Sequence, residues 1–432
     1  MAGSAAAAGL VALAVVVPAV TGWDVHVRSF PPLHARWDPR VGVGTVPALL
    51  LAAGAVLGAF DAARRLSWHR LLLVSWTGSV AWLLALAYVD GRAGVAAILD
   101  SDDEYLRTAR ATDDLPHTLG TYVERIPFDA PLGNWPVHVA GHPPGALTFF
   151  VVLDRLGLGS GYAAGMVVTL LAASTVVAVL VTLRTLGAED RARRAAPFLV
   201  IGPAAVWQCV SADGMFAAVA AWGIAALALA ARRDARAWLG WSLVAGLLLG
   251  GCVMLSYGLP LLGILAVAVL ALSRSWRPLV PAALAALAVV LAYAALGFRW
   301  WEAIGVLRER YWAGVAHVRP ASYWTWANLA ALGVSAGPVL GAGLAAASQD
   351  LRARWRDRSA RVVVALSAAG AAMVLAADAS QMSRAEVERI WLPFVPWLLV
   401  STALLPDRWQ RPALAVQAAS ALLVQHLLAT GW

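Results

Sequence analysis

The sequence predicts an all-α polytopic membrane protein of about 13 transmembrane helices. Three observations carry this. The 432-residue chain is 61% hydrophobic and 13% charged, where a soluble domain carries about 25% charge. Apolar runs of about 17 to 20 residues recur along its whole length, each long enough to cross a bilayer core. The runs are continuous and lack the period of two that a membrane β-barrel needs. Mean hydropathy is +0.71.

The runs fall near 2–20, 46–60, 71–89, 162–183, 195–210, 214–231, 237–256, 258–273, 279–297, 324–347, 361–378, 390–405 and 412–430. Residues 2–20 lack the positive start of a signal peptide, so a retained first helix is expected. Arg-rich turns separate alternate runs: "DAARRLSWHR", "RTLGAEDRARR", "ARRDAR", "SRSWR", "QDLRARWRDRSAR" and "PDRWQR". The positive-inside rule puts these in the cytoplasm. Segments 21–45, 90–161, 298–323 and 379–389 then face outward. This alternation requires that 143–157, "PPGALTFFVVLDRLG", does not span. Its short apolar stretch suits a juxtamembrane helix in the outer loop 90–161. The whole chain reads as one membrane domain, 1–432.

All 33 basic residues are Arg, and the Ala-rich composition points to a GC-rich bacterial genome and a plasma-membrane location. The net charge of +8 is scattered over short loops, which is the pattern of membrane anchoring and not of nucleic-acid binding. Cys209 and Cys252 lie in separate apolar runs and read as inert thiols. His26, His34, His117, His138, His142 and His317 fall on the outer side. Mid-helix charge is nearly absent, which disfavours an ion-coupled transporter.

Outer loop 90–142 holds nine carboxylates against four Arg. "LDSDDEYLRTARAT" reads as helical, with Asp100, Asp103 and Glu104 on one face. Crowded carboxylates can raise one member's pKa and make it a base. A solvated acidic loop and a divalent-cation (calcium) site are the other readings. "GHPPGALTFF" opens the 143–157 helix with two prolines, which fit a first turn. His142 then stays outside the helix, beside a tip that attracts phosphate or carboxylate. The plainer reading is that Pro-Pro sets an entry angle. "VSADGMF" puts Asp213 in an outer turn, either as a turn former or as a further carboxylate of the same cavity. "RERYWAGVAHVRPASYWTW" and "SRAEVERIWLPFVP" supply Arg310, Arg319, Arg384 and Arg389, as phosphate ligands or interfacial anchors.

In order along the chain, "DDEY" (Asp102 to Tyr105), "HPP" (His142 to Pro144), "RTLGAEDRARR", "SADGM" and "ERIWLPFVP" resemble the GT-C superfamily of integral-membrane glycosyltransferases. The style is that of the protein O-mannosyltransferase and lipid A aminoarabinose transferase groups, over roughly 71–430. Two helices precede the region of resemblance, and Gly145 stands where Leu is common. The resemblance implies sugar transfer from a polyprenyl-phosphate donor to a glycan, lipid or protein acceptor at the outer face. It implies a carboxylate base, Asp103 first, with Glu104 and Asp102 next. It further implies that His142, Arg310, Arg319, Arg384 and Arg389 hold the phosphate, with Tyr105 nearby, and that Asp213 positions the base or the acceptor. A lipid or solute transporter or flippase, and a non-catalytic membrane scaffold, are the rival readings.

Overall fold

A computed structural model describes residues 2–430. The described residues are almost wholly helical; one two-residue strand pair, Arg36–Trp37 with Leu428–Ala429, joins the N-terminal loop to the end of the last helix. Seven helices are long and apolar enough to cross a membrane: Ala2–Thr21, Thr45–Arg65, Trp68–Asp90, Gly161–Thr185, Ala212–Ala230, Trp238–Leu255 and Arg358–Ala379. Two bent pairs bring the number to nine if each is one span.

Seven to nine uninterrupted or bent spans fall short of the 13 runs read from hydropathy, and the reason is local backbone chemistry. The 195–210 run is not one helix. Glu189–Val200 ends ahead of Gly202-Pro203, and a separate turn of helix follows at Ala205–Gln208. The 324–347 run breaks into Ala321–Ser335 and Val339–Ser348, bent by 104°. Gly337 sits at the corner with φ +84° and Pro338 follows it, a combination that stops a helix. The 279–297 run continues through Gly297 into Trp300–Ala313, bent by 72°. Leu259–Ser273 and Val395–Leu404 are short, the latter with Pro396 in its first turn. Asp407–Leu427 is 21 residues long but carries Asp407, Arg408 and Arg411 in its first turns.

The Arg-rich turns gather at one end of the bundle. There Arg184 lies over the Trp68 ring at 4.5 Å, and Arg193 donates to the carbonyls of Ala63 and Leu66. Arg191 pairs with Asp357 and Arg194 with Asp407. The acidic loop lies at the opposite end, where the Tyr88 and Tyr162 hydroxyls meet at 2.9 Å and Gln425 donates to Asp90.

Within that loop the acids are not helical as expected. Asp100 to Glu104 form turns, and the helix is only Tyr105–Arg110. Ser and Asp side chains compete with the helical backbone for hydrogen bonds, which favours turns. The Pro-started helix is Gly145–Leu153, nine residues and about 14 Å long, too short to cross a bilayer. Its first turn is packed hard on Trp238–Leu255. A Cβ at Gly145 would run into the Met254 carbonyl, so the close approach requires glycine. Gly145→Ala is expected to push the two helices apart and cost about 1 to 3 kcal/mol. A fall in the thermal midpoint of the detergent-solubilised protein measures it; an unchanged midpoint contradicts the close approach.

Candidate active site

The backbone of Glu104 is extended (φ −94°, ψ −175°) just before the Tyr105–Arg110 helix, and its side chain turns inward while its neighbours turn out. Asp102 and Asp103 are exposed, and Glu104 is only 2% exposed. Asp102 pairs with Arg107 at the surface, and Asp100 with Arg110 at 2.7 Å. The Asp103 carbonyl accepts the His138 backbone N–H at 3.1 Å, which ties the acidic turn to the short helix Val137–Gly141.

Glu104 Oε1 meets two nitrogen partners: His138 Nδ1 at 2.8 Å and Arg389 Nη1 at 3.3 Å. His138 Nδ1 also lies 3.4 Å from Arg389 Nη1. One ring nitrogen cannot donate to Glu104 and accept from Arg389 together, so the proton is assigned to the shorter contact. Arg389 turns its Nε to Asp213 Oδ2 at 3.1 Å. Asp213 lies in the first turn of Ala212–Ala230, a helix capped by Ser211 Oγ accepting from the Gly214 N–H. The N-terminal end of that helix favours a carboxylate. Glu104, Asp213 and Arg389 are each at most 4% exposed, so this is a buried ionic cluster.

Burial alone would raise the Glu104 pKa. Its contact and hydrogen bond with His138, together with the Arg389 charge, outweigh it and hold the carboxyl below its ordinary range. Glu104 Oε2 is buried with no hydrogen-bond partner among the described residues. Burial pushes the Tyr105 phenol well up, so it stays neutral. It donates to the His138 carbonyl at 3.3 Å and stacks on Phe150 at 5.4 Å.

His142 is extended before Pro143, as a residue preceding proline must be (φ −129°, ψ 155°). Its Nδ1 donates to the His138 carbonyl at 2.9 Å, and its ring touches Tyr105 and Phe216. Burial, with Arg389 adding, holds this imidazole below its ordinary value. A neutral ring protonated at Nδ1 offers Nε2 as an acceptor, which suits a hydroxyl better than a phosphate. The helix tip beyond it, Gly145 to Leu147, is buried.

The other three arginines lie in loop clamps. Arg310 donates to the carbonyls of Ile126 and Trp135 and lies over Phe128. Arg319 donates to the carbonyls of His26 and Arg384 and to Glu386 Oε1 at 3.3 Å. Arg384 in turn donates to the Arg319 and Ala316 carbonyls. The Arg319 and Arg384 contacts fix the segment before Arg389. The structure thus brings Glu104, Asp213, Arg389, Tyr105 and His142 together, and puts Asp102, Asp103, Arg310, Arg319 and Arg384 in other surroundings.

Three residues of this region were not singled out by the sequence: His138, Glu386 and Glu388. "NWPVHVAGHPP" offered a first His four residues before His142, and "AEVERI" two acids just before Arg389. Glu388 Oε1 accepts the His34 backbone N–H at 3.2 Å, and Oε2 is buried without a partner among the described residues. Among those residues no group of three or more His, Cys, Asp or Glu side chains converges as a metal ligand set. No protein-family model matches the chain, and comparison with curated proteins finds no relative.

Burial, with Glu386 adding, pushes Glu388 up to about 7 from its ordinary 4.5, against the pull of Arg389. The folded state then binds this proton more tightly than the unfolded chain. Its contribution to stability is complete below about pH 4.5 and is lost as pH rises through 7. Glu388→Gln is expected to stabilise the protein at pH 8 by on the order of 2 kcal/mol while changing little at pH 4.5. Thermal unfolding of both proteins at the two pH values measures this; an equal difference at both would refute it.

Proposed function

We propose that the protein is an integral-membrane glycosyltransferase of the GT-C type, moving a sugar from a polyprenyl-phosphate donor to an acceptor hydroxyl. The observation that carries the reading is the buried pairing of Glu104 with Arg389 and of Arg389 with Asp213, which joins three of the sequence motifs in one cluster. The Arg-rich end is read as cytoplasmic, which makes the cluster extracytoplasmic in a bacterial plasma membrane. On this reading the broken and short helices also cross the bilayer, giving 13 passes.

The chemistry balances with few parts. The acceptor oxygen attacks the anomeric carbon and gives its proton to Glu104. The bond from that carbon to the phosphate oxygen breaks, and its electron pair leaves on the lipid phosphate, whose charge Arg389 offsets. Phosphate is a good leaving group once a cation faces it, so one carboxylate suffices and the sugar inverts, as with the base of an inverting glycosidase. Glu104 takes the role of base in place of Asp103, because only Glu104 points into the cluster. His142 Nε2 is available to orient the acceptor hydroxyl. A transporter or flippase would need charge at mid-depth, whereas this charge sits at the helix ends.

The test is transfer from a panel of radiolabelled polyprenyl-phosphate sugars by purified protein. Glu104→Gln is expected to lower the rate by about 10²- to 10⁴-fold, the usual worth of a general base. Asp103→Asn is expected to stay within a few-fold of wild type. Full transfer by Glu104→Gln refutes the base assignment, and no transfer from any donor favours the scaffold.

A further inference from the structure

Arg389 is divided between two carboxylates by different nitrogens: Nε faces Asp213 at 3.1 Å and Nη1 faces Glu104 at 3.3 Å. In this arrangement Glu104 is a poor base. Its Oε1 is occupied by His138 and Arg389, and its anion is favoured over the acid form. Yet Oε2 of the same group is buried and without a hydrogen-bond partner among the described residues, an atom ready to hold a proton. Some event has to convert one condition into the other.

We infer, resting on the donor reading above, that the donor's phosphate competes with Glu104 for the Nη edge of Arg389, and that this competition turns Glu104 into a base. Asp213 keeps hold of Nε, so the guanidinium stays in the site while its other edge changes partner. A guanidinium fork can bind a phosphate through two N–H groups, which a single 3.3 Å contact to a carboxylate does not match. Two effects then act on Glu104 with the same sign. It loses part of a neighbouring cation, and it gains a neighbouring anion. Both raise its affinity for a proton.

The groups facing Glu104 determine how far the change goes. Tyr105 comes from the adjoining helix, His138 from Val137–Gly141, His142 from the turn before Pro143, and Asp213 from the first turn of Ala212–Ala230. Arg389 comes from Val387–Ile390, with Glu386 and Glu388 beside it. Arg389 has a second carboxylate, Asp213, to hold it during an exchange. Asp213 is on this account a positioning residue. The base is thereby armed only when a donor is present.

The probe is farnesyl methyl phosphodiester, a short lipid phosphodiester that carries one charge and no sugar. Glu104 in the full-length protein in nanodiscs is titrated by infrared difference spectroscopy with Glu104→Gln as reference, with and without the probe. Glu104→Asp replaces that reference if the Gln variant does not fold. Binding of the probe is followed separately by calorimetry. The expected result is an upward shift of the Glu104 titration by about one pH unit or more on binding, the usual effect of losing an opposite charge and gaining a like one at this range. In Asp213→Asn the shift is expected to shrink, because Arg389 has lost its second anchor. Binding with an unmoved Glu104 titration overturns this inference and leaves the donor reading intact. Failure of the probe to bind removes both.

Discussion

One guanidinium bridges two buried carboxylates here, and the acidic end of the bundle is arranged around it. Arg389, Glu104 and Asp213 lie far apart in the chain yet within 3.3 Å of one another through the arginine. Each would be costly to bury alone. Removing one partner of a buried pair costs about 3 to 5 kcal/mol, because a charge is left without compensation. The cluster therefore ties the acidic loop, the start of Ala212–Ala230 and the turn at Val387–Ile390 into one unit. The surrounding clamps serve the same end. Arg319 and Arg384 exchange hydrogen bonds with each other's carbonyls, and Asn328 donates to Asp378 and to the Ser383 carbonyl. They hold a turn in which Gln381, Ala385 and Glu386 all have positive φ.

The irregular backbone of the molecule has a place in this arrangement. Non-helical chain within an apolar bundle is tolerated where neighbouring protein satisfies its polar groups. The break at 201–204 and the turns at 391–394 are such places. Trp82 Nε1 donates to the Gly202 carbonyl, and Gln417 Nε2 to the Ala336 carbonyl beside the sharp bend. A straight helix through 195–210 would carry Asp213 onward along the same axis. The break instead lets a new helix start at Ala212 with its positive end beneath the cluster.

The apolar runs, the Arg-rich turns and the short Pro-started helix were legible because each depends on composition or on a local rule. The number of uninterrupted spans was not, since Gly202-Pro203 and Gly337-Pro338 break helices inside runs that hydropathy alone reads as continuous. Glu104 over Asp103 was not legible either. The two are adjacent, and an extended backbone at 104 decides which one faces inward. Arg310, Arg319 and Arg384 looked like phosphate ligands because the sequence cannot show the carbonyls that take up their N–H groups. His138 was visible as an outer histidine, but its contact with Glu104 spans 34 positions and has no local signal.

The central claim is that Glu104 and Arg389 are energetically coupled within one buried cluster. A double-mutant cycle on unfolding in mixed micelles, using Glu104→Gln, Arg389→Met and the pair, measures that coupling directly. Contacting buried charges are expected to give an interaction energy of about 1.5 kcal/mol or more, with the double variant less damaged than the two single effects together. Strict additivity would mean that the two side chains do not share a site, and would contradict the account.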